Sequence, residues 1–192
     1  MVRLFIFLMV MAMAAAVSAR DVVHVIIDTE QGEIEVAIDQ EHAPGTSANF
    51  LRYLDAGHYD GGQFHRTVTM QNQPDNDVKI EVIQASVNAP KGEAGFDAIP
   101  LERTTSTGLE HKDGAISMAR GEPDSATSSF FFCIGDQPDL DFGGKRNPDG
   151  QGFAAFGMIV RGMDVVKKIQ MSPHEEQRLE PAVGIRSIRR RN

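Results

Sequence analysis

The residue types that carry most enzyme chemistry are scattered in this sequence. Its six histidines occur with no H-x-x-H or H-E-x-x-H spacing, so the sequence does not predict a zinc site. Ser128 and Ser129 lack the G-x-S-x-G pattern that exposes a nucleophilic serine. Cys133, the single cysteine, lies in the apolar run 130–134, which is typical of a buried packing residue. We therefore expect no metal site, no cofactor and no serine-hydrolase chemistry.

Arg66, in the tripeptide Phe64-His65-Arg66, is a candidate of a different kind. A guanidinium group is always charged and presents a rigid fork of donors, which a lysine would not reproduce. An isolated arginine more often forms a surface salt bridge, and Arg66 taken alone leaves that interpretation open.

The overall charge argues against a nucleic-acid partner. The formal net charge is −8 and the pI is about 5.2, whereas phosphate contacts need clustered Lys and Arg. A basic run near the C-terminus consists of Arg186, Arg189, Arg190 and Arg191. We expect this run to be a short solvated tail; contact with an acidic surface or a membrane is the alternative.

The first residues have the three parts of a secretory signal peptide. Arg3 precedes an apolar core, and a small-residue exit ends in Val17-Ser18-Ala19. The uncharged stretch of residues 4–19 is shorter than the roughly 20 residues of a spanning helix, which disfavours a retained anchor. We predict a signal peptide over residues 1–19, cleaved to leave one domain over 20–192 with no stable membrane insertion. A periplasmic location is favoured, and secretion is the alternative.

Short strands dominate the rest of the chain. Residues 22–27 and 33–38 alternate apolar and polar side chains around a turn, which predicts an antiparallel hairpin. Gly, Pro and Asp clusters separate further short apolar segments, which suggests a barrel or a sandwich. These segments are residues 62–65, 79–86, 115–119, 130–134, 153–160 and 182–188.

Two helices complete this organisation. One amphipathic helix should begin near Pro44, which suits a first turn, and end at Gly57, which suits a C-terminal cap. A second helix should cover residues 163–170 and stop near Pro173.

Several motifs, in this order, resemble the cyclophilin family of peptidyl-prolyl cis–trans isomerases. They are the helix and its exit at 44–61, Phe64-His65-Arg66, the segments 113–120 and 125–132, and the segments 153–157 and 160–166. Their shared order and spacing make a chance agreement improbable. The resemblance implies a mainly β fold, an eight-stranded antiparallel closed β-barrel capped by two α-helices.

The resemblance also implies a catalytic pair, Arg66 and Gln84. Rotation about a peptide bond is opposed by a barrier of about 18–20 kcal/mol, because rotation breaks the C–N resonance. A catalyst must stabilise the twisted amide, and Arg66 would do so with its charge and its donors. Gln84 would orient Arg66 or hold the substrate backbone.

A binding surface is implied as well. The pocket for the proline ring would consist of Phe131, Leu140, Phe153 and Val82, and an extended substrate would lie along Ala119 and Arg120. For each apolar residue, plain core packing is the alternative that sequence alone leaves open.

The sequence departs from the family pattern near this site. A polar insertion is expected at residues 70–78 and an enlarged loop at 141–151. Glu81 replaces a phenylalanine and Ser129 replaces a glutamine. Asp139 stands where cyclosporin-sensitive members carry tryptophan, so we expect weak cyclosporin binding.

These departures leave rival functions open. The expected function is isomerisation of Xaa–Pro bonds in folding or unfolded polypeptides by a monomer. The first alternative is a proline-peptide-binding or chaperone-like module with weak or no isomerase activity. The second is an envelope scaffold that uses the acidic surface or the arginine-rich C-terminus.

Overall fold

The computed structural model describes residues 22–88 and 95–191. The predicted signal peptide, residues 1–19, lies outside the described residues. Within the described ranges, no helix combines the length and the apolar character needed to span a membrane.

Eight antiparallel strands close into a barrel. Each strand bonds to the next in the order β1-β2-β7-β5-β6-β4-β3-β9, and β9 pairs back to β1. A short strand, β8, pairs with β9 outside this ring. The strands are β1 (Val22–Thr29), β2 (Gly32–Asp39), β3 (Gln63–Val68), β4 (Val82–Ser86), β5 (Ala115–Met118), β6 (Phe130–Cys133), β7 (Ala154–Arg161), β8 (His174–Glu175) and β9 (Arg178–Arg190). The predicted closed eight-stranded barrel is therefore confirmed.

The two predicted helices are present, together with shorter helical turns. The helices are α1 (Pro44–Asp55), α2 (Thr104–Thr107) and α3 (Met163–Gln170), and a 3₁₀ turn spans Pro138–Leu140. Pro44 opens α1, and Gly57 follows its C-terminal cap with a left-handed φ of 69°. The apolar faces of α1 and α3 are buried on the barrel.

Alternation along β6 divides the apolar residues between two clusters. Phe130 and Phe132 point into the main core, where their rings pack against Phe50 and Phe64. Phe131 and Cys133 point the other way, into a second cluster that includes Val68, Val82 and Leu140. A period of two residues thus places Phe131 beside the site described below.

Three of the four arginines of the basic C-terminal run lie in strand β9 and not in the solvated tail that we predicted, and Arg191 follows the strand. Arg186 and Arg190 lie within β9, whose pairing with β1 closes the barrel. Arg186 pairs with Asp28 at 2.9 Å, and Arg190 pairs with Asp55 at 2.8 Å. The β1–β9 pairing gives this segment backbone hydrogen-bond partners, and Asp28 and Asp55 give its arginines carboxylate partners. Composition alone had predicted that the segment lies free in solvent.

Candidate active site

One cavity of about 270 Å³ brings together all the residues predicted for the site. They are Arg66 from β3, Val82 and Gln84 from β4, Phe131 from β6, Ala119 and Arg120 after β5, Leu140 from the 3₁₀ turn and Phe153 before β7. The lining also includes Ile80, Arg146 and Asn147, which sequence reasoning did not select.

Arg66 is held between two neutral amides. The β3–β4 register places it opposite Gln84, and its Nη1 donates to Gln84 Oε1 at 3.0 Å. Its Nε and Nη2 both donate to Gln177 Oε1, at 3.0 and 2.6 Å. No carboxylate of the described residues lies within 4 Å of this guanidinium. Burial lowers the pKa of Arg66, but an arginine stays protonated near neutrality.

The sequence did not identify Gln177 as a partner of Arg66. Gln177 lies in the turn between β8 and β9, where no strand periodicity indicates the direction of a side chain. Its Nε2 donates to the Asn72 carbonyl at 3.1 Å, and Asn72 Nδ2 donates to the Glu176 carbonyl at 2.9 Å. Asn72 belongs to the predicted insertion, residues 70–78. The insertion and the turn therefore hold the Gln177 side chain against Arg66.

The floor of the cavity is apolar. Val82, Phe131 and Leu140 are each at most 5% exposed, and the partly buried Phe153 meets Phe131 edge to face with ring centroids 5.4 Å apart. The Phe153 backbone N–H donates to the Leu140 carbonyl at 2.9 Å, which joins two of these residues directly. This floor suits a small apolar ring.

Arg120 does not offer a free cation to this cavity. Its side chain donates to Asp149 at 2.7 Å and to the Gly152 carbonyl at 2.8 Å. The guanidinium carbon lies 5.1 Å from the centre of the Phe153 ring. The enlarged loop thus occupies the Arg120 side chain, and the Asp149 pKa is lowered chiefly by that hydrogen bond.

A buried polar series lies behind the floor. The His111 ring is parallel to the Phe131 ring to within 11°, with centroids 6.0 Å apart. His111 Nδ1 lies 2.7 Å from Asp141 Oδ1, and Nε2 lies 2.9 Å from Ser117 Oγ. Ser117 and His111 are at most 1% exposed, so this Ser–His–Asp set cannot meet a substrate. Burial alone would raise the Asp141 pKa, but the hydrogen bonds from His111 outweigh it and lower the value.

Arg146 joins the two irregular loops that form the remaining wall. Its Nη1 donates to Gln73 Oε1 at 2.8 Å and to the Val78 carbonyl at 2.7 Å. Gln73 is 1% exposed, and its Nε2 donates to the Thr69 and Ile80 carbonyls. Loop lengths in the sequence indicated enlarged segments here, but not which side chains would turn into the cavity.

The structure also bears on metal binding and on thiol chemistry. Within residues 22–88 and 95–191, no group of three or more His, Cys, Asp or Glu side chains could hold a metal ion. Cys133 is fully buried, and burial raises the pKa of its thiol far above the usual range. It is therefore a packing residue.

Comparison with known proteins gives consistent findings. Residues 24–190 match the family model described as cyclophilin type peptidyl-prolyl cis-trans isomerase/CLD. The chain is 36% identical over 159 residues to peptidyl-prolyl cis-trans isomerase A of Dickeya dadantii, covering 82% of this chain and 76% of that protein. It is 32% identical over 143 residues to peptidyl-prolyl cis-trans isomerase B of Escherichia coli, covering 74% and 80%.

Solved structures show the same fold at lower identity. A cyclophilin type peptidyl-prolyl cis-trans isomerase of Cryptosporidium parvum superposes with a TM-score of 0.71 at 18% identity, over 89% of this chain and 98% of that one. A second structure of that protein, solved in the presence of the dipeptide Ala-Pro, gives a TM-score of 0.70 over 88% and 99% of the two chains.

Proposed function

Because this chain belongs to the cyclophilin-type peptidyl-prolyl cis–trans isomerase family, we propose that Arg66 and the apolar floor beside it are the machinery of that activity. The family activity is cis–trans isomerisation of the peptide bond before proline. The single observation that carries the proposal is an arginine fixed by two neutral amides in a cavity with an apolar floor.

Prolyl isomerisation requires stabilisation of charge in the twisted amide and no covalent step. The two isomers of an Xaa–Pro bond differ by only about 0.5–1 kcal/mol, yet they exchange in tens to hundreds of seconds. The barrier is the loss of amide resonance, which leaves a pyramidal nitrogen with a localised lone pair. A preorganised cation near that nitrogen, or near the carbonyl that turns, lowers the barrier.

The contacts of Arg66 suit it to this task. A guanidinium has five N–H donors, and Gln84 and Gln177 use three of them. Two donors are left for the substrate. Because both partners are uncharged amides, no carboxylate among residues 22–88 and 95–191 neutralises the positive charge of Arg66 by direct contact.

The apolar floor would hold the proline ring while the preceding carbonyl turns. Phe131, Leu140, Phe153 and Val82 present carbon surface without an ionised group, so the ring loses water on binding at little polar cost. Ala119 and Arg120 lie on the segment after β5, where an extended chain would run. The substrates would be proline-containing polypeptides.

The experiment is NMR exchange on a short Ala-Pro peptide with residues 20–192 and the Arg66→Ala variant. We expect catalysis by the unmutated protein and at least a tenfold fall in the variant, equivalent to about 1.4 kcal/mol of barrier. Arg186→Ala, in an arginine outside the cavity, is the matched control and should retain the rate. Exchange at the uncatalysed rate with the folded, unmutated protein would overturn the proposal.

A proline-peptide-binding or chaperone-like module is the second candidate. It is favoured by the insertion that closes one side of the cavity through Gln73 and Arg146. It predicts that a proline peptide binds with the same affinity to the unmutated protein and to Arg66→Ala, without catalysis by either. Chemical-shift titration in the same samples separates the two functions.

We further propose that the protein is exported, with a periplasmic location favoured, and that it acts as a monomer. We also propose weak cyclosporin binding, because Asp139 supplies no aromatic ring at this wall. Its carboxylate accepts from the Lys145 backbone N–H at 3.3 Å, and its carbonyl accepts from Arg146 N–H at 3.1 Å. Cyclosporin titration, sedimentation and fractionation of the source cells test these three points.

A further inference from the structure

The cavity contains two guanidinium groups that have no carboxylate partner among the described residues. Arg66 is bonded to two glutamines, and Arg146 is bonded to Gln73 and a backbone carbonyl. The third arginine, Arg120, is paired with Asp149. Asp and Glu are absent from the part of the cavity lining that the structure describes. In a protein with a net charge of −8, this cavity is a local concentration of positive charge.

Arg146 is held in place before any ligand arrives. Its guanidinium bonds to residues of the 70–78 insertion, and its backbone N–H bonds to the Asp139 carbonyl at 3.1 Å. The fully buried Gln73 side chain that receives Arg146 is itself bonded to Thr69 and Ile80. A side chain anchored in this way loses little further conformational entropy when a ligand binds.

An anion bound between Arg66 and Arg146 would be energetically favourable. Burial lowers the pKa of Arg146, and the nearby charge of Arg66 lowers it further, so each cation is destabilised by its surroundings. Partly desolvated charges without an opposite charge are unfavourable in a folded protein. A ligand carboxylate would relieve this repulsion, and the planar fork of arginine matches a carboxylate group.

From these contacts we infer that Arg146 is a specificity residue that selects prolyl bonds flanked by Asp or Glu. This inference rests on the function proposed above, because it takes the proline ring to lie on the Phe131 floor. Arg146 lines the same cavity as that floor. A carboxylate on a residue next to the proline would therefore meet the Arg146 guanidinium in the same cavity, while Arg66 acts on the bond that turns.

The test compares peptides that differ only in one charge. Blocked peptides carrying Glu or Gln immediately before the proline, and a second pair carrying them immediately after it, are measured by exchange NMR. For at least one pair we expect kcat/KM to be about tenfold higher for the Glu peptide at low salt, as for a hydrogen bond to a charged group. The preference should shrink in about 0.5 M NaCl, which screens charge interactions.

The Glu-to-Gln ratio in two loop variants identifies the residue responsible. Arg146→Gln should bring the ratio close to one. Lys145→Gln removes the same charge from the exposed neighbouring position and should leave the ratio unchanged. Arg146→Lys, which keeps the cation, should retain part of the preference and so exclude a loss caused by a disturbed loop.

The possible outcomes separate the two proposals. Catalysis of the Gln peptides without preference for Glu in the unmutated protein overturns the role of Arg146 and leaves the isomerase mechanism intact. A preference that survives in Arg146→Gln also overturns it. No catalysis of either peptide overturns the proposed function itself.

Discussion

At the scale of single residues, the site depends on keeping the charge of Arg66 unpaired while restricting its position. Gln84 and Gln177 accept from all three of its nitrogen atoms without adding negative charge. A carboxylate at either position would hold the guanidinium at least as firmly, but it would neutralise the field that the twisted amide requires. Amide partners therefore serve catalysis better than acidic partners would.

Gln177 offers a direct test of this distinction. Gln177→Leu should lower kcat/KM by about tenfold, because Arg66 loses the acceptor of its Nε and Nη2 donors. Gln177→Glu restores an acceptor, so a purely structural role predicts rescue. We expect no rescue in exchange NMR, and thermal stability measured in parallel reports the separate loss of the Nε2 donor to the Asn72 carbonyl. Full activity in Gln177→Glu would show that the neutral charge of this partner is irrelevant.

The residues of the site differ in how far sequence could identify them. Arg66 on β3 and Phe131 on β6 lie in motifs of the family resemblance, which was enough to predict them together, and both are paired with Gln84 on the intervening strand β4. Gln177 and Arg146 lie in irregular segments, where side-chain direction depends on loop conformation. The sequence predicted the enlarged loop that carries Arg146 but not the turn that carries Gln177, and only tertiary contacts direct these two side chains towards the cavity.

At the scale of elements, helix α1 illustrates a contact that local sequence could not reveal. Its N-cap, Ala43, has no side-chain acceptor for the free N–H groups of the first turn. Glu102 supplies one from a distant segment, accepting from Gly45 N–H at 3.0 Å and from Thr46 N–H and Oγ1 at 2.7 and 2.6 Å. A carboxylate there also interacts favourably with the helix dipole.

Removing this distant cap should weaken the fold without touching the site. We expect Glu102→Ala to lower the free energy of unfolding by about 1 kcal/mol, which is a typical cost of losing an N-cap. Denaturant titration measures this change. Glu102→Gln keeps an oxygen acceptor but not the charge. Its free energy of unfolding should lie between those of the unmutated protein and Glu102→Ala. Isomerase rates should be equal in all three proteins, and an unchanged midpoint for Glu102→Ala would exclude the capping role.

At the scale of the whole molecule, the seam between β1 and β9 brings the basic run against acidic residues. Asp28, Asp55 and Asp60 pair with Arg186, Arg190 and Arg189 respectively, and Arg191 pairs with Glu35. The three aspartate pairs are at least partly exposed and contribute little individually, so backbone pairing and core burial hold most of the seam together, whereas Glu35 is buried. The scaffold alternative thereby loses the free basic tail on which it partly relied.

These partners give acid pH a predictable effect on stability. The pKa of Asp55 is lowered chiefly by the hydrogen bond that it accepts from Arg190. The pKa of Asp149 is lowered chiefly by the hydrogen bond that it accepts from Arg120. Burial would raise the Glu35 pKa, but Arg191 and His24 outweigh it and lower the value. A carboxyl whose pKa is lower when folded contributes stability above its unfolded pKa, about 3.9–4.3, and loses it as pH falls through the folded value.

Two histidines affect stability at higher pH, on opposite sides of about pH 6.5. Burial lowers the pKa of His65, so its protonation below about pH 6.5 destabilises the fold. The hydrogen bond that Asp39 accepts from His42 raises the pKa of His42, so the protonation of His42 stabilises the fold as pH falls towards about 6.5, and that contribution is complete below it. We therefore expect denaturant midpoints that fall modestly between about pH 6.5 and pH 4.5, through His65, and then fall steeply as the carboxyl groups are protonated. Asp55→Asn, which cannot be ionised, should reduce that acid-dependent loss, and an equally steep loss in this variant would contradict the contribution of the Asp55–Arg190 pair.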